Sequence, residues 1–146
     1  MSRLLVVGTG AIGGYVASVL ARHDLDVTVL TRGANLAAIR SDGVRIEGGP
    51  DAGVGRPLAL EDVSDQEPYD VVLVATKAPD TAAAVAALGD RLAPDGVVVA
   101  LQNGVGRGAH VSALLGRDAG LERDPQRLRG DRRRLERGDP PLGLDQ

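Results

Sequence analysis

The sequence predicts an α/β fold, a doubly wound parallel sheet with helices on both faces. Three observations carry this reading. The runs RLLVVG, DVTVLTR, DVVLVATK and DGVVVALQNG are apolar almost throughout, as strands covered on both faces are. Stretches with apolar residues at helical spacing separate them. A glycine-rich turn, GTGAIG, stands where the first strand ends and the first helix begins.

Taken in order, residues 3–8 form the first strand. The segment AIGGYVASVLARH then carries Ile12, Val16, Val19 and Leu20 at helical spacing. Residues 26–32 are rich in β-branched side chains and read as the second strand, followed by NLAAIR as a helix and VRIEG as a short strand. The segment 48–57, GGPDAGVGRP, reads as an exposed Gly/Pro loop. Residues 70–77 are the most continuously apolar run, and PDTAAAVAALGDRL after them is a helix with Asp80 or Thr81 near its start. Residues 95–104 give one more strand.

Composition narrows the function classes. With 146 residues the chain suits one domain with a real core. Its formal net charge of -3 offers no basic field for nucleic acid, and aromatic residues at 1% leave no platform for stacking bases. The absence of cysteine excludes a disulfide framework, a thiolate nucleophile and a Cys-ligated metal. His23 and His110, the only histidines, lie too far apart in sequence to suggest zinc, so no metal is expected. The apolar run LLVV is too short for an export signal or a membrane span and breaks at Gly8, which makes the cytoplasm the expected address.

The character of the chain changes near Gly116. Residues 1–116 contain 18 Val, whereas residues 117–146 contain no Val or Ile and 8 Arg with 7 Asp or Glu, 15 charged residues among 30. Such a segment buries too little apolar surface to offset its ordering entropy, so 117–146 is expected to be a disordered or irregular charged tail and not a folded domain. Its composition suits a shifted reading frame in a GC-rich gene, which translation of the other frames past Gly116 tests.

The turn residues Gly8, Thr9, Gly10, Ala11, Ile12 and Gly13 satisfy G-x-G-x-x-G in the strand–turn–helix context that gives the pattern meaning. Gly8 permits the tight turn, Gly10 a close backbone approach to a pyrophosphate, and Gly13 close helix–strand packing. The pattern predicts a Rossmann-type dinucleotide site; the competing reading is a Gly-rich turn with no ligand. The second strand ends in Leu30, Thr31, Arg32, with no carboxylate there to repel a 2'-phosphate and with a guanidinium able to pair with one, which favours NADPH over NADH. The competing reading of Arg32 is an ordinary surface arginine at a helix start.

Ligands of open α/β sheets sit outside the carboxyl ends of the strands. Lys77, the only lysine beside 16 arginines, follows one strand, and Gln102, Asn103 and Gly104 follow another. Lys77 offers a compact cation and Asn103 an amide that both donates and accepts, suited to a cofactor or a substrate oxygen. The competing readings are a solvated loop lysine and a turn-forming asparagine.

The joint pattern GTGAIGGYVA, LTR, VATKA, LQNGVG resembles the N-terminal NADP-binding domain of the ketopantoate reductase (2-dehydropantoate 2-reductase) family, over about residues 1–116. The resemblance implies that Gly8 to Gly13 hold the pyrophosphate, that Arg32 meets the adenosine 2'-phosphate, and that Lys77 and Asn103 flank the nicotinamide and the keto acid. It implies NADPH-dependent reduction of 2-dehydropantoate to pantoate on the route to pantothenate and coenzyme A. It also implies that the general-acid lysine and a glutamate near it belong to a helical C-terminal domain. No lysine follows Lys77, so the sequence offers no catalytic residue, and turnover by this chain alone is left open. Two other readings stand beside it: a stand-alone NADP(H)-binding module or subunit without catalysis, and another Rossmann enzyme, against which the LTR, TKA and QNG set argues. Whether a second copy covers the sheet edge, giving a homodimer, stays open.

Overall fold

The computed structural model describes residues 1–102, 107–116 and 120–122. Its elements run β1 (Arg3–Val7), α1 (Ala11–Ala21), β2 (Asp26–Leu30), α2 (Gly33–Asp42), β3 (Val44–Ile46), β4 (Gly53–Gly55), β5 (Leu58–Leu60) and β6 (Tyr69–Val74). A 3-10 turn (Ala78–Asp80) then leads into α3 (Thr81–Leu88), β7 (Leu92–Ala100), α4 (Arg107–Leu115) and β8 (Gly120–Glu122).

Six strands form one sheet in the order β5-β2-β1-β6-β7-β8, every neighbouring pair parallel. The apolar runs are apolar on both faces because both faces are covered. Along β1, Leu5 and Val7 point into a cluster with Ala84, Val85 and Leu88 of α3 and Val111 of α4. Val6 points the other way, into a cluster with Ala17 of α1 and Ile39 of α2. The period of two in a strand sends successive side chains to opposite layers. Leu5, Val6, Val29, Val72 and Val63 are fully shielded from water, each such burial contributing about 1.5–3 kcal/mol.

Helix α1 buries Gly13, Gly14, Ala17 and Ser18. These small side chains let it lie close to the sheet and, on its other side, to a second structure. That structure is an antiparallel pair, β3 with β4, in which Arg45 faces Val54. The Ser18 hydroxyl donates to the Val44 carbonyl at 2.8 Å and accepts from the Gly55 amide at 3.0 Å, so one side chain holds both strands. Arg22 adds hydrogen bonds to the carbonyls of Asp51 at 2.7 Å and Ala52 at 3.1 Å. The Tyr15 hydroxyl donates to the Asp51 carboxylate, and this hydrogen bond is the main reason the phenol pKa lies above its ordinary value.

One sequence expectation needs correction here. The segment 48–57 is not wholly a loop: β4 occupies its middle, and a side chain on Gly55 would stand 2.2 Å from the Ser18 carbonyl oxygen. Glycine there serves a close packing contact, which composition alone reads as a loop signal. Beyond Gly116, β8 pairs with β7 through Val98–Gly120, Val99–Leu121 and Ala100–Glu122. The rest of the charged tail lies outside the described residues. Among the described residues no helix is long and apolar enough to cross a membrane.

Candidate functional site

The register of the sheet brings three strand ends together. Val7 pairs with Leu30 on one side and with Val74 on the other, so β1, β2 and β6 finish at one edge. The chain leaves that edge in three turns: Gly8–Gly10, Thr31–Arg32 and Ala75–Asp80. Ala75 and Thr31 extend the ladders by one bond each, to the carbonyls of Val7 at 2.9 Å and Leu60 at 2.9 Å.

The three glycines of the turn answer to different causes. Gly8 has φ +93°, and a side chain on it would press against Thr76. A β-carbon on Gly13 would stand 1.9 Å from the Gly8 carbonyl oxygen and 3.0 Å from the Ala75 side chain. Both positions are explained by the fold's own packing. Gly10 is different: it has an ordinary extended backbone, φ -69° and ψ -166°, and nothing lies within 4 Å of the place a β-carbon would take. The space in front of the start of α1 is therefore open. Gly10 caps that helix without any side-chain hydrogen bond, and the first helical bond runs from Gly14 to the Gly10 carbonyl at 2.8 Å. The amides of Ala11, Ile12 and Gly13 precede it and are left as donors, with the positive end of the helix dipole behind them.

Beside this turn lies a cleft of about 310 Å³ lined by Gly8, Thr9, Leu30, Thr31, Arg32, Asn35, Glu61, Thr76, Asp80 and the small residues Ala83, Ala84 and Ala87 of α3. A short polar chain ties its floor together. Thr9 and Thr31 share a hydroxyl hydrogen bond at 2.7 Å, and the Asn35 amide donates to the Thr9 hydroxyl at 3.3 Å. Arg32 caps α2, is exposed, and faces the cleft with no ion pair to its guanidinium among the described residues. An open backbone approach, free helix amides and an unengaged guanidinium fit a dinucleotide with an additional phosphate.

Of the residues named from sequence, Gly8, Thr9 and Arg32 line the cleft, while Gly10 to Gly13 form the adjoining helix start. Lys77 is exposed at the head of the 3-10 turn, one residue beyond the cleft-lining Thr76, and its carbonyl accepts from the Asp80 amide at 2.9 Å. Asn103 lies outside the described residues. Sequence reading missed Thr31, Asn35, Glu61, Thr76 and Asp80. Thr76 directly precedes Lys77 and Asp80 follows it by three residues, so their place beside Lys77 was the available signal.

The family model described as "Ketopantoate reductase PanE/ApbA" matches residues 4–121. A 2-dehydropantoate 2-reductase of Halobacterium salinarum is 39% identical over 110 residues, which are 73% of this chain and 36% of that protein. One from Pyrococcus horikoshii is 32% identical over 118 residues, 81% of this chain and 38% of that protein. The crystal structure of a PanE/ApbA family ketopantoate reductase from Ralstonia eutropha superposes with a TM-score of 0.71 at 31% identity, over 80% of this chain and 39% of that one. The chain thus spans a little over a third of the length of these relatives. The match runs through the glycine turn, the LTR strand end and the TKA turn alike, and on it the chain belongs to the ketopantoate reductase family.

Proposed function

We propose that this chain binds NADPH along the carboxyl edge of its sheet and is the cofactor-binding part of a 2-dehydropantoate 2-reductase. The observation that carries the reading is the open space before Gly10 next to Arg32, which has no ion pair among the described residues. Neither feature is needed by the fold itself. The amides that open α1 would take the pyrophosphate, and Arg32 the 2'-phosphate. Lys77 and Asn103, which follow β6 and β7 in sequence, would meet the nicotinamide and the carboxylate or carbonyl of a small keto acid. NADPH, when bound, supplies the hydride delivered to the keto carbon.

What this chain contributes is binding and orientation. Reduction of a ketone also needs a proton for the developing alkoxide oxygen. Lys77 is the only lysine of the sequence and is assigned to binding, so on this reading no second lysine is left to act as the general acid for that step. The same fact favours a second reading, an NADP(H)-binding module or subunit that does not catalyse by itself. The proposal extends to the reaction's place on the route to pantothenate. It extends also to a cytoplasmic address, which a cysteine-free sequence suits.

Titrating the purified chain with NADPH and NADH, then adding ketopantoate, tests both readings. NADPH binding stronger than NADH binding supports the cofactor site. Turnover would show that the proton donor has been overlooked; binding without turnover supports the module. Absence of NADPH binding would refute both.

A further inference from the structure

Gln102 follows the end of β7, one residue after Leu101, whose amide continues the ladder to the Val74 carbonyl at 2.9 Å. Its side-chain amide reaches across to the neighbouring turn. Nε2 donates to the Thr76 carbonyl at 2.6 Å and to the Thr81 hydroxyl at 2.6 Å, with the Thr76 hydroxyl also near at 3.3 Å. Thr81 is fully buried at the first position of α3. These partners bracket Lys77: Thr76 precedes it directly, and Thr81 closes the 3-10 turn that it opens. A single NH2 group therefore ties together the residues that bound the turn carrying Lys77, while the lysine side chain stays exposed.

The glutamine serves the Thr76 carbonyl and the Thr81 hydroxyl at a cost. Its Oε1 is buried without a hydrogen-bond partner among the described residues. An orphaned buried acceptor is unfavourable; an apolar side chain of the same length would remove it but would leave the Thr76 carbonyl and the Thr81 hydroxyl without this donor. What such a side chain could not do is fix the turn through two directed donors.

We propose that Gln102 is a positioning residue for Lys77, holding the turn so that the ammonium meets the nicotinamide half of the bound cofactor. The sheet order supports the choice of half. Arg32 follows β2 on one side of β1, whereas Lys77 and Gln102 follow β6 and β7 on the other. A dinucleotide with its pyrophosphate over the β1 turn and its 2'-phosphate at Arg32 extends its other half toward β6 and β7. This assignment rests on the NADPH reading above.

The test uses the full chain, calorimetric titration with NADPH and with adenosine 2',5'-bisphosphate, and the variants Gln102→Met, Lys77→Met and their combination. Loss of one well-made hydrogen-bond set corresponds to roughly a tenfold change in affinity. Gln102→Met is expected to weaken NADPH binding about tenfold and to leave the bisphosphate within about twofold. Added to Lys77→Met it should cost nothing further, since its effect passes through that lysine. Thr81→Val, which removes one acceptor of the same amide and keeps the side-chain shape, should weaken NADPH about threefold and serves if Gln102→Met does not fold. Equal losses for both ligands, or additive losses in the double variant, would overturn the assignment in favour of general loosening. Unchanged NADPH binding by Gln102→Met, with the unsubstituted chain binding both ligands, overturns the assignment alone. Binding of neither ligand by the unsubstituted chain overturns the cofactor reading and this assignment with it.

Discussion

The carbonyl oxygen of Gly8 lies 1.9 Å from the point where a β-carbon on Gly13 would stand. The first and last glycines of the turn thus meet each other, and α1 can start where it does only because Gly13 has no side chain. In Gly13→Ala the contact is with backbone that cannot swing aside. We expect a loss of about 3 kcal/mol, opposite in sign to the gain of up to about 1 kcal/mol that alanine normally brings inside a helix. Urea unfolding measures it.

Gly10→Ala should behave in the opposite way. Open space before Gly10 leaves room for the methyl group, and stability should change by less than about 1 kcal/mol. NADPH affinity should nevertheless fall at least about tenfold, because the methyl occupies the approach path of the pyrophosphate. Thermal unfolding and a fluorescence titration on the same sample check the pair of outcomes.

Arg32→Ala should erase the preference for NADPH. A charge-assisted hydrogen-bond pair to phosphate corresponds to roughly tenfold to hundredfold in affinity, and NADH, which lacks that phosphate, should lose almost nothing. The decisive quantity is the ratio of the two dissociation constants. An unchanged ratio would show that Arg32 does not contact the 2'-phosphate.

Ser18→Ala should detach the β3–β4 pair from α1. One hydroxyl serves the Val44 carbonyl and the Gly55 amide, so its removal leaves both unpaired. A destabilisation of about 2 kcal/mol is expected, read as a lowered unfolding midpoint. The glycine turn and Arg32 lie elsewhere, so adenosine 2',5'-bisphosphate affinity should hold.

Asp62 offers a pH dependence of known sign. Its carboxyl is held below the usual carboxylate range, first by the Ser64 hydroxyl and then by the Ser64 amide, which donates to it at 2.5 Å. The folded state thus favours the ionised form. Its contribution is present above the unfolded value of about 3.9 and is lost as pH falls through the lower folded value. The midpoint difference between the parent chain and Asp62→Asn should therefore shrink as the solution is acidified through this range.

The sheet was legible in the sequence because its strands are buried on both faces, which writes them as unbroken runs such as VVLV. The glycine turn was legible because its strongest needs are local: the positive φ of Gly8 and the contact of Gly13 with the Gly8 carbonyl. Other features were hidden for a physical reason. Gly55 is required by Ser18, 37 positions earlier, and no local pattern announces such a contact. Strand β8, with three register pairs among the described residues, lies in a charged segment whose composition gives no strand signal; its pairing with Val98, Val99 and Ala100 is a long-range contact that no local pattern announces. Gln102 stood in plain view beside Asn103, but its role depends on Thr76 and Thr81, which only the folded chain brings to it.

The position of β1 in the sheet also bears on how the chain is made. Leu4 pairs with Val27 on one side and with Val71 on the other. The first neighbour leaves the ribosome soon after β1, but the second follows about forty residues later, an interval of seconds at about 5–20 residues per second. During that interval the strand with the fully buried Leu5 and Val6 has one open edge. A pause in translation between residues 31 and 68 would prolong that exposure, and it marks the window in which a nascent chain most needs a chaperone.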